Sequence, residues 1–285
     1  MNKPGPTLCF PDAEKSCFAC CPPIRAKGYE HVQYRNMVRR MLLENTREFA
    51  SKRKDPSPII GFSCWGLGYL DRGYRQIGCM LHPAQNQGQD LRYMVGYGHK
   101  CRRETCWEAL EFHELGTKEQ EFWLHFSKGL DSFSYSSRKE NPLFNMMGWG
   151  SELLGLIALK EEGENFTWQG FFNAYPIFST RIMPRANAYL LQRIVAEQGP
   201  GLLKEESFRI RFEAFSSHIS NQLNRTSKTR ADAKYTHLLG LDRRFLDVLR
   251  LSAGIKRINL KEAVVLKNII DSAIEGFLLK DLILG

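Results

Sequence analysis

From Trp107 to Gly285 the chain contains no cysteine, although it has 8 in all. Disulfides and thiolate metal sites are therefore excluded from that long C-terminal stretch. No run of about 18 uninterrupted apolar residues occurs anywhere, which excludes a helix of membrane-spanning length and predicts no membrane partner. Met1 to Phe10 has two prolines and no apolar stretch, which predicts that there is no secretory leader. A thiol-rich chain without a leader is expected in the cytosol, where cysteines bind metal or react more often than they pair.

Several signatures of chemistry are missing. His113-Glu114 is not followed by a histidine at the spacing of a zinc protease helix. No GxxxxGK[ST] loop is present, and Gly66-Leu67-Gly68 lacks the third glycine of a dinucleotide fingerprint. No GxSxG elbow occurs. Glu161-Glu162 and Glu205-Glu206 read as solvated helix faces, so no catalytic residue is singled out.

What is present is uneven. The 285 residues carry 40 Lys+Arg and 31 Asp+Glu, a net charge of +9. Residues 1–60 hold 11 basic and 6 acidic side chains, and residues 206–285 hold 14 and 9, so the basicity lies at the two ends. Lys52-Arg53-Lys54 and Arg225 to Lys234 are the stretches that would meet a nucleic acid, but aromatic residues are not interleaved there for base stacking. Hydrophobic residues make up 43%, which suffices for a core without covalent staples.

All 8 cysteines lie between Cys9 and Cys106, which divides the chain into a module over residues 1–115 and a helical domain over residues 116–285. The expected fold is mainly α, with an irregular cysteine-rich N-terminal module followed by a helical bundle. Prolines at 4, 6, 11, 22 and 23 make the start a loop. Tyr34, Val38, Met41, Leu42 and Phe49 predict a helix over 29–54 that ends before Pro56. Glycine-rich residues 57–106 predict irregular turns with a small hairpin near Ile77 to Leu81. Thr117 with Gln120 predicts a capping box, opening a helix that stops before Pro142. Further helices are expected over 143–160, over 168–198 with breaks near Pro176 and Pro184, from Phe208 to Leu223, over 235–252, and after Asn259 with Glu262 as its cap. Phe208 to Phe212 alone also alternates like a strand, but the longer pattern favours helix.

The sharpest motif is Cys17-Phe18-Ala19-Cys20-Cys21-Pro22-Pro23. Two cysteines three apart can hold one ion, because the turn between them lets both sulfurs point inward. Zinc takes about four such ligands, so the motif supplies half. Cys79 with His82, then Cys101 and Cys106, could supply the rest, for one site with spares or for two. The candidate metal ligands are Cys17, Cys20, Cys21, Cys79, His82, Cys101 and Cys106. Cys9 and Cys64 are the expected bystanders. Arg25, Lys27, His99, Lys100, Arg102 and Arg103 flank these thiols and are expected to favour thiolate. His113, His125, His218 and His237 lie in helical segments and read as structural.

Residues 17–106 resemble the bacterial family of zinc- or iron-chelating cysteine-cluster proteins. Cys17, Cys20, Cys21, Cys79, Pro83 and Cys101-Arg102 match its motif in order. Cys9 stands eight residues before Cys17 rather than three, His82-Pro83 replaces the usual Arg-Pro, and the helix after the cluster lengthens the gap. The resemblance covers about a third of the chain and implies metal chelation. The functional expectation is a cytosolic metal-binding protein holding zinc or iron. The alternatives are an iron–sulfur or thiol redox protein, and a nucleic-acid-binding or regulatory protein with a structural zinc. The helical half is the expected surface for a protein partner.

Overall fold

The computed structural model describes residues 6–21, 30–51, 56–57, 59, 64–96, 101, 106–164, 166–226 and 233–284. Among them are eleven α-helices and two small two-stranded sheets, the mainly α architecture that the sequence implies. The chain forms two compact units, one up to Phe144 and one from Asn145. The division lies beyond the expected one after Leu115, because residues 131–137 hydrogen-bond back to residues 8–18.

In the first unit, α1 (Arg35–Ser51) buries Val38 and Leu42, one turn apart, against a two-stranded antiparallel sheet. Its strands are β1 (Leu67–Tyr69) and β2 (Ile77–Cys79), at the place expected for a hairpin. Polar residues of α1 fix that packing. Asn45 Nδ2 donates to Leu67 O at 2.8 Å and to Cys64 O at 3.2 Å. Thr46 Oγ1 donates to Leu42 O and accepts the Tyr69 N–H at 2.9 Å. The helix is shorter at its start than 29–54 suggests, since residues 31–34 form turns first. Phe18, Leu67, Ile77, Leu81, Met94 and Phe133 complete this core, with Cys64 among them.

After α2 (Trp107–His113) comes α3 (Thr117–His125). The expected cap is displaced by one residue: Gly116 precedes the helix, and Glu119 Oε2 accepts the Gly116 N–H at 2.7 Å. Gln120 instead donates to the Phe112 and Leu115 carbonyls, both at 3.0 Å, tying α3 to the end of α2. Nor does α3 run toward Pro142. It ends at His125, Gly129 adopts φ +79°, and Asp131 caps a new helix, α4 (Ser132–Ser136), by accepting the Ser134 N–H.

The next helix, α5 (Leu143–Met147), and α6 (Ser151–Lys160) replace the single segment expected over 143–160. Gly150 between them has φ +91°, a left-handed conformation that stops one helix and admits another. In the second unit, α7 (Trp168–Ala174), a 3-10 turn at Pro176–Ser179 and α8 (Pro184–Gln198) follow the breaks expected at the prolines. Phe171 stacks on Tyr175 and Phe178 at the centre of this unit. The alternating stretch from Phe208 lies inside α9 (Glu206–Thr226), which buries Phe208, Phe212, Ile219 and Leu223.

A two-residue antiparallel pairing of β3 (Lys234–Tyr235) with β4 (Arg257–Ile258) takes the place of the start of the helix expected over 235–252. Only α10 (Arg243–Asp247) and a π-helical turn at Val248–Ser252 form there, the Ala253 N–H reaching Val248 O. The last helix, α11 (Leu260–Leu284), packs on α9, and Asn259 Oδ1 caps it from the expected position, accepting the Glu262 N–H at 2.8 Å. Glu161 departs from the solvated reading: it is buried, accepts the Tyr175 hydroxyl at 2.5 Å and pairs with Lys204 at 2.7 Å. Among the described residues no helix is long and apolar enough to cross a membrane.

Candidate metal centre

The first cysteines lie on an irregular segment, so their positions depend on what pins it. Leu8 is buried and its carbonyl accepts the Tyr135 hydroxyl at 2.8 Å. Cys9 O accepts the Cys17 N–H at 2.8 Å, which brings the backbone of the two cysteines together. The Ser16 N–H donates to Ser132 Oγ at 2.9 Å and the Phe18 N–H to Ser136 Oγ at 3.0 Å. These serines are four apart on α4 and therefore share a face. The helix thus supplies acceptors to a strand-like segment that has no sheet partner of its own. Ser16 Oγ exchanges hydrogen bonds with both backbone groups of Ile77, two residues before Cys79.

A tight turn follows. The Cys21 N–H donates to Phe18 O at 3.0 Å and the Ala19 N–H to Cys17 Sγ at 3.5 Å. Phe18 is buried in the apolar core with Cys64, and Cys21 and Cys79 pack against that core, whereas Cys20 is exposed. Cys79 pairs with Leu67 in the hairpin, and Cys64 O accepts the Leu67 N–H at 3.0 Å. The Arg92 guanidinium donates to Cys101 O at 3.0 Å and is held by Asp90. Cys106 is the residue before α2, beside Glu108, which pairs with Arg138.

Burial and neighbouring charge push these thiols up. Burial, then the charge of Cys20, pushes Cys9 up to about 11. Cys17 is pushed up by burial and by Cys20, Cys9 and Cys106. Burial and Glu108 raise Cys106 to about 12, with Cys9 and Cys20 adding to it. Cys21 is raised by its hydrogen bond with the Cys20 side chain, by burial, and by Cys20, Cys79 and Cys64. Burial and Cys101 raise Cys64. Burial raises Cys79 to about 11, with Cys64 and Cys101 adding and Arg92 opposing. In the structure Cys9 and Cys17 share a backbone hydrogen bond, and Cys21, Cys64 and Cys79 share one apolar core.

This geometry bears on three expectations. Cys9 and Cys64 do not stand apart from the other thiols. The six thiols just described are pushed toward the neutral form, because desolvation disfavours the charged one. The flanking Arg25, Lys27, His99, Lys100, Arg102 and Arg103 lie outside the described residues, as do Lys52-Arg53-Lys54 and most of the stretch from Arg225 to Lys234. The cations that do face thiols are Arg92, beside Cys79 and Cys101, and Arg138, beside Cys106 and Cys17. Sequence spacing gave no sign of Arg138, which pairs with Glu108, or of Tyr135 and the serines of α4, which lie more than 100 residues from the segment they hold.

His82 follows Cys79 by three residues, and its N–H donates to Cys79 O at 3.1 Å. Its Nδ1 accepts the Ala84 N–H at 3.1 Å and so caps a 3-10 turn, and burial and Arg92 lower its pKa. Among the described residues no three His, Cys, Asp or Glu side chains are already drawn together as metal ligands. Comparison with protein-family models, curated proteins and solved structures finds no match to this chain.

Proposed function

We propose that this chain is a cytosolic metal-binding protein that holds zinc or iron through cysteine thiolates of its first unit. The observation that supports it is that all eight cysteines are free thiols of the first unit, with Cys9 and Cys17 joined by a backbone hydrogen bond and Cys21, Cys64 and Cys79 at one apolar core. The donors are all soft sulfur, the set that suits zinc or an iron–sulfur cluster rather than a hard cation. The family resemblance of residues 17–106 points the same way. The thiols would bind as thiolates, so loading displaces protons that burial otherwise retains.

With zinc, four thiolates close the coordination shell, and the ion's contribution is to hold an irregular segment in place. Iron–sulfur clusters, which would add electron transfer, are the second reading. Cys21-Pro22 favours it, since a cysteine followed by proline also occurs in ferredoxin runs.

The test is elemental analysis and a visible spectrum of the full chain purified without oxygen, affinity tag or chelator. Stoichiometric zinc in colourless protein supports the structural form. Iron with sulfide and a broad visible band supports the redox form. Metal-free protein that takes up neither ion rejects the proposal.

A further inference from the structure

We propose that a cleft of the first unit binds a small organic anion that carries an aromatic ring. The cleft measures about 540 Å³ and lies between α1, the turn joining β1 to β2, and the start of α4. Its volume falls in the range of about 300–1,000 Å³ usual for small-molecule sites. No cysteine lines it, so this site is independent of the metal-binding reading.

Tyr69 is only 7% exposed and lines the cleft, yet its hydroxyl has no hydrogen-bond partner among the described residues. A buried tyrosine hydroxyl ordinarily has one. The residue is fixed from behind, because Thr46 Oγ1 of α1 accepts the Tyr69 N–H at 2.9 Å. A donor is thereby held in place at the cleft. Tyr74 meets the Tyr69 ring edge-on, with centroids 5.1 Å apart. It is exposed and has φ +54°, a left-handed conformation that a bulky residue adopts only where its surroundings impose it. Asp71 imposes it here by accepting the N–H groups of Gly73, Arg75 and Gln76. The turn thus offers a second aromatic ring to the cleft.

The carboxylates of the lining are already engaged. Asp12 holds Lys15 at 2.5 Å, Glu14 holds Arg75 at 2.5 Å, and Asp131 holds Arg35. Arg39 comes no nearer than 3.9 Å to Asp131, and Lys128 has no ion pair among the described residues. Two cations therefore remain for an incoming anion. The Arg39 guanidinium also lies 5.5 Å from the Phe133 ring, which joins the charged and aromatic parts of the wall.

A bare anion would leave the Tyr74 ring unused, and a neutral ring would leave Arg39 and Lys128 unused. A planar ring bearing a phosphate or a carboxylate uses both. Its anionic group meets Arg39, Lys128 and the Tyr69 hydroxyl through charge-assisted hydrogen bonds, and its ring meets Tyr74. Nucleoside monophosphates and aromatic carboxylates are the two sources of that chemistry.

The experiment is isothermal titration calorimetry of the full chain as purified, with AMP, benzoate, adenosine and inorganic phosphate as separate probes. AMP or benzoate should bind one to one and at least about tenfold more tightly than adenosine or phosphate. Whichever of the two binds more tightly identifies the anionic group. Tyr69→Phe keeps the buried ring and removes only the hydroxyl, so binding should weaken about tenfold. Arg39→Gln should weaken it to a similar degree. Lys128→Gln alters an exposed side chain and should also weaken binding, which keeps the test decisive if Arg39→Gln fails to fold. The absence of saturable binding of AMP and benzoate at millimolar concentration overturns the inference. Binding left unchanged by both Tyr69→Phe and Lys128→Gln overturns it too, as does adenosine or phosphate binding as tightly as the ring-bearing anions.

Discussion

Ser16 Oγ donates to Ile77 O at 2.7 Å and accepts the Ile77 N–H at 2.6 Å, so one side chain satisfies both backbone groups of a buried strand residue. This joins the segment before Cys17 to β2 two residues before Cys79. Ser16→Ala leaves a donor and an acceptor unpaired in a dry site. It should destabilise the first unit by about 1–3 kcal/mol, measured by denaturant unfolding. Native metal content should fall with it, because Cys17, Cys20 and Cys21 lie on the segment that Ser16 holds. Unchanged stability would mean that water replaces the hydroxyl without loss.

The raised thiols give the metal-free and loaded chains opposite responses to alkali. In the metal-free form Cys9 and Cys79 lie near 11 and Cys106 near 12, against 9.0 for an unperturbed thiol. The folded state therefore keeps protons that the unfolded state has released. That part of stability is complete below pH 9 and is lost as pH rises through the folded values. In the loaded form metal replaces the protons, so affinity should rise with pH and fall in acid. Thermal unfolding of both forms between pH 7 and 10 checks this, and parallel curves would argue against thiolate binding.

Glu161 makes the acid side of the profile. Burial alone would raise its pKa, but Lys204 and the Tyr175 hydroxyl outweigh it and hold the carboxyl below its usual value. The stabilisation is present above the unfolded pKa and is lost as pH falls through the lower folded one. Glu161→Gln should flatten the second unit's loss of stability below about pH 4.5, the unperturbed glutamate value. Urea unfolding from pH 3 to pH 7, followed by a second-unit reporter such as Trp149, would show it.

At Gly150, φ is +91°, and an added Cβ would meet the Gln192 side chain, whose Nε2 donates to Trp149 O at 2.8 Å. Gly150→Ala should cost about 1–2 kcal/mol from the left-handed backbone alone. Moving Gln192 adds the loss of its hydrogen bond. A melting temperature equal to that of wild type would show that the turn between α5 and α6 can relax.

His82 offers a contrast to the cysteines. Its Nδ1 is occupied as a cap on Ala84. His82→Asn keeps an acceptor there and should leave metal content unchanged, with stability within about 0.5 kcal/mol of wild type. Loss of metal from this variant would place the imidazole in the coordination shell.

Much of this protein follows from local pattern. The 3.6-residue spacing of Phe208, Phe212, Ile219 and Leu223 sets α9, and Asn259 caps α11, because these depend only on neighbours along one helix. Gly150, Gly129 and the β3–β4 pairing before Glu262 were harder to read, since apolar spacing continues across a break whose cause is a single φ angle or a distant strand partner. Confinement of cysteine to residues 9–106 is likewise plain in the sequence, and so is the CxxCC motif. Which thiol faces which is not. Cys20 and Cys21 are adjacent, yet one is exposed beside the Cys17 side of the turn and the other packs on the core of the hairpin. That separation arises because Phe18 is buried and Ser16, Ser132 and Ser136 pin the segment's backbone across more than 100 residues. Spacing records which donors exist, but only packing and long-range hydrogen bonds decide how they are shared.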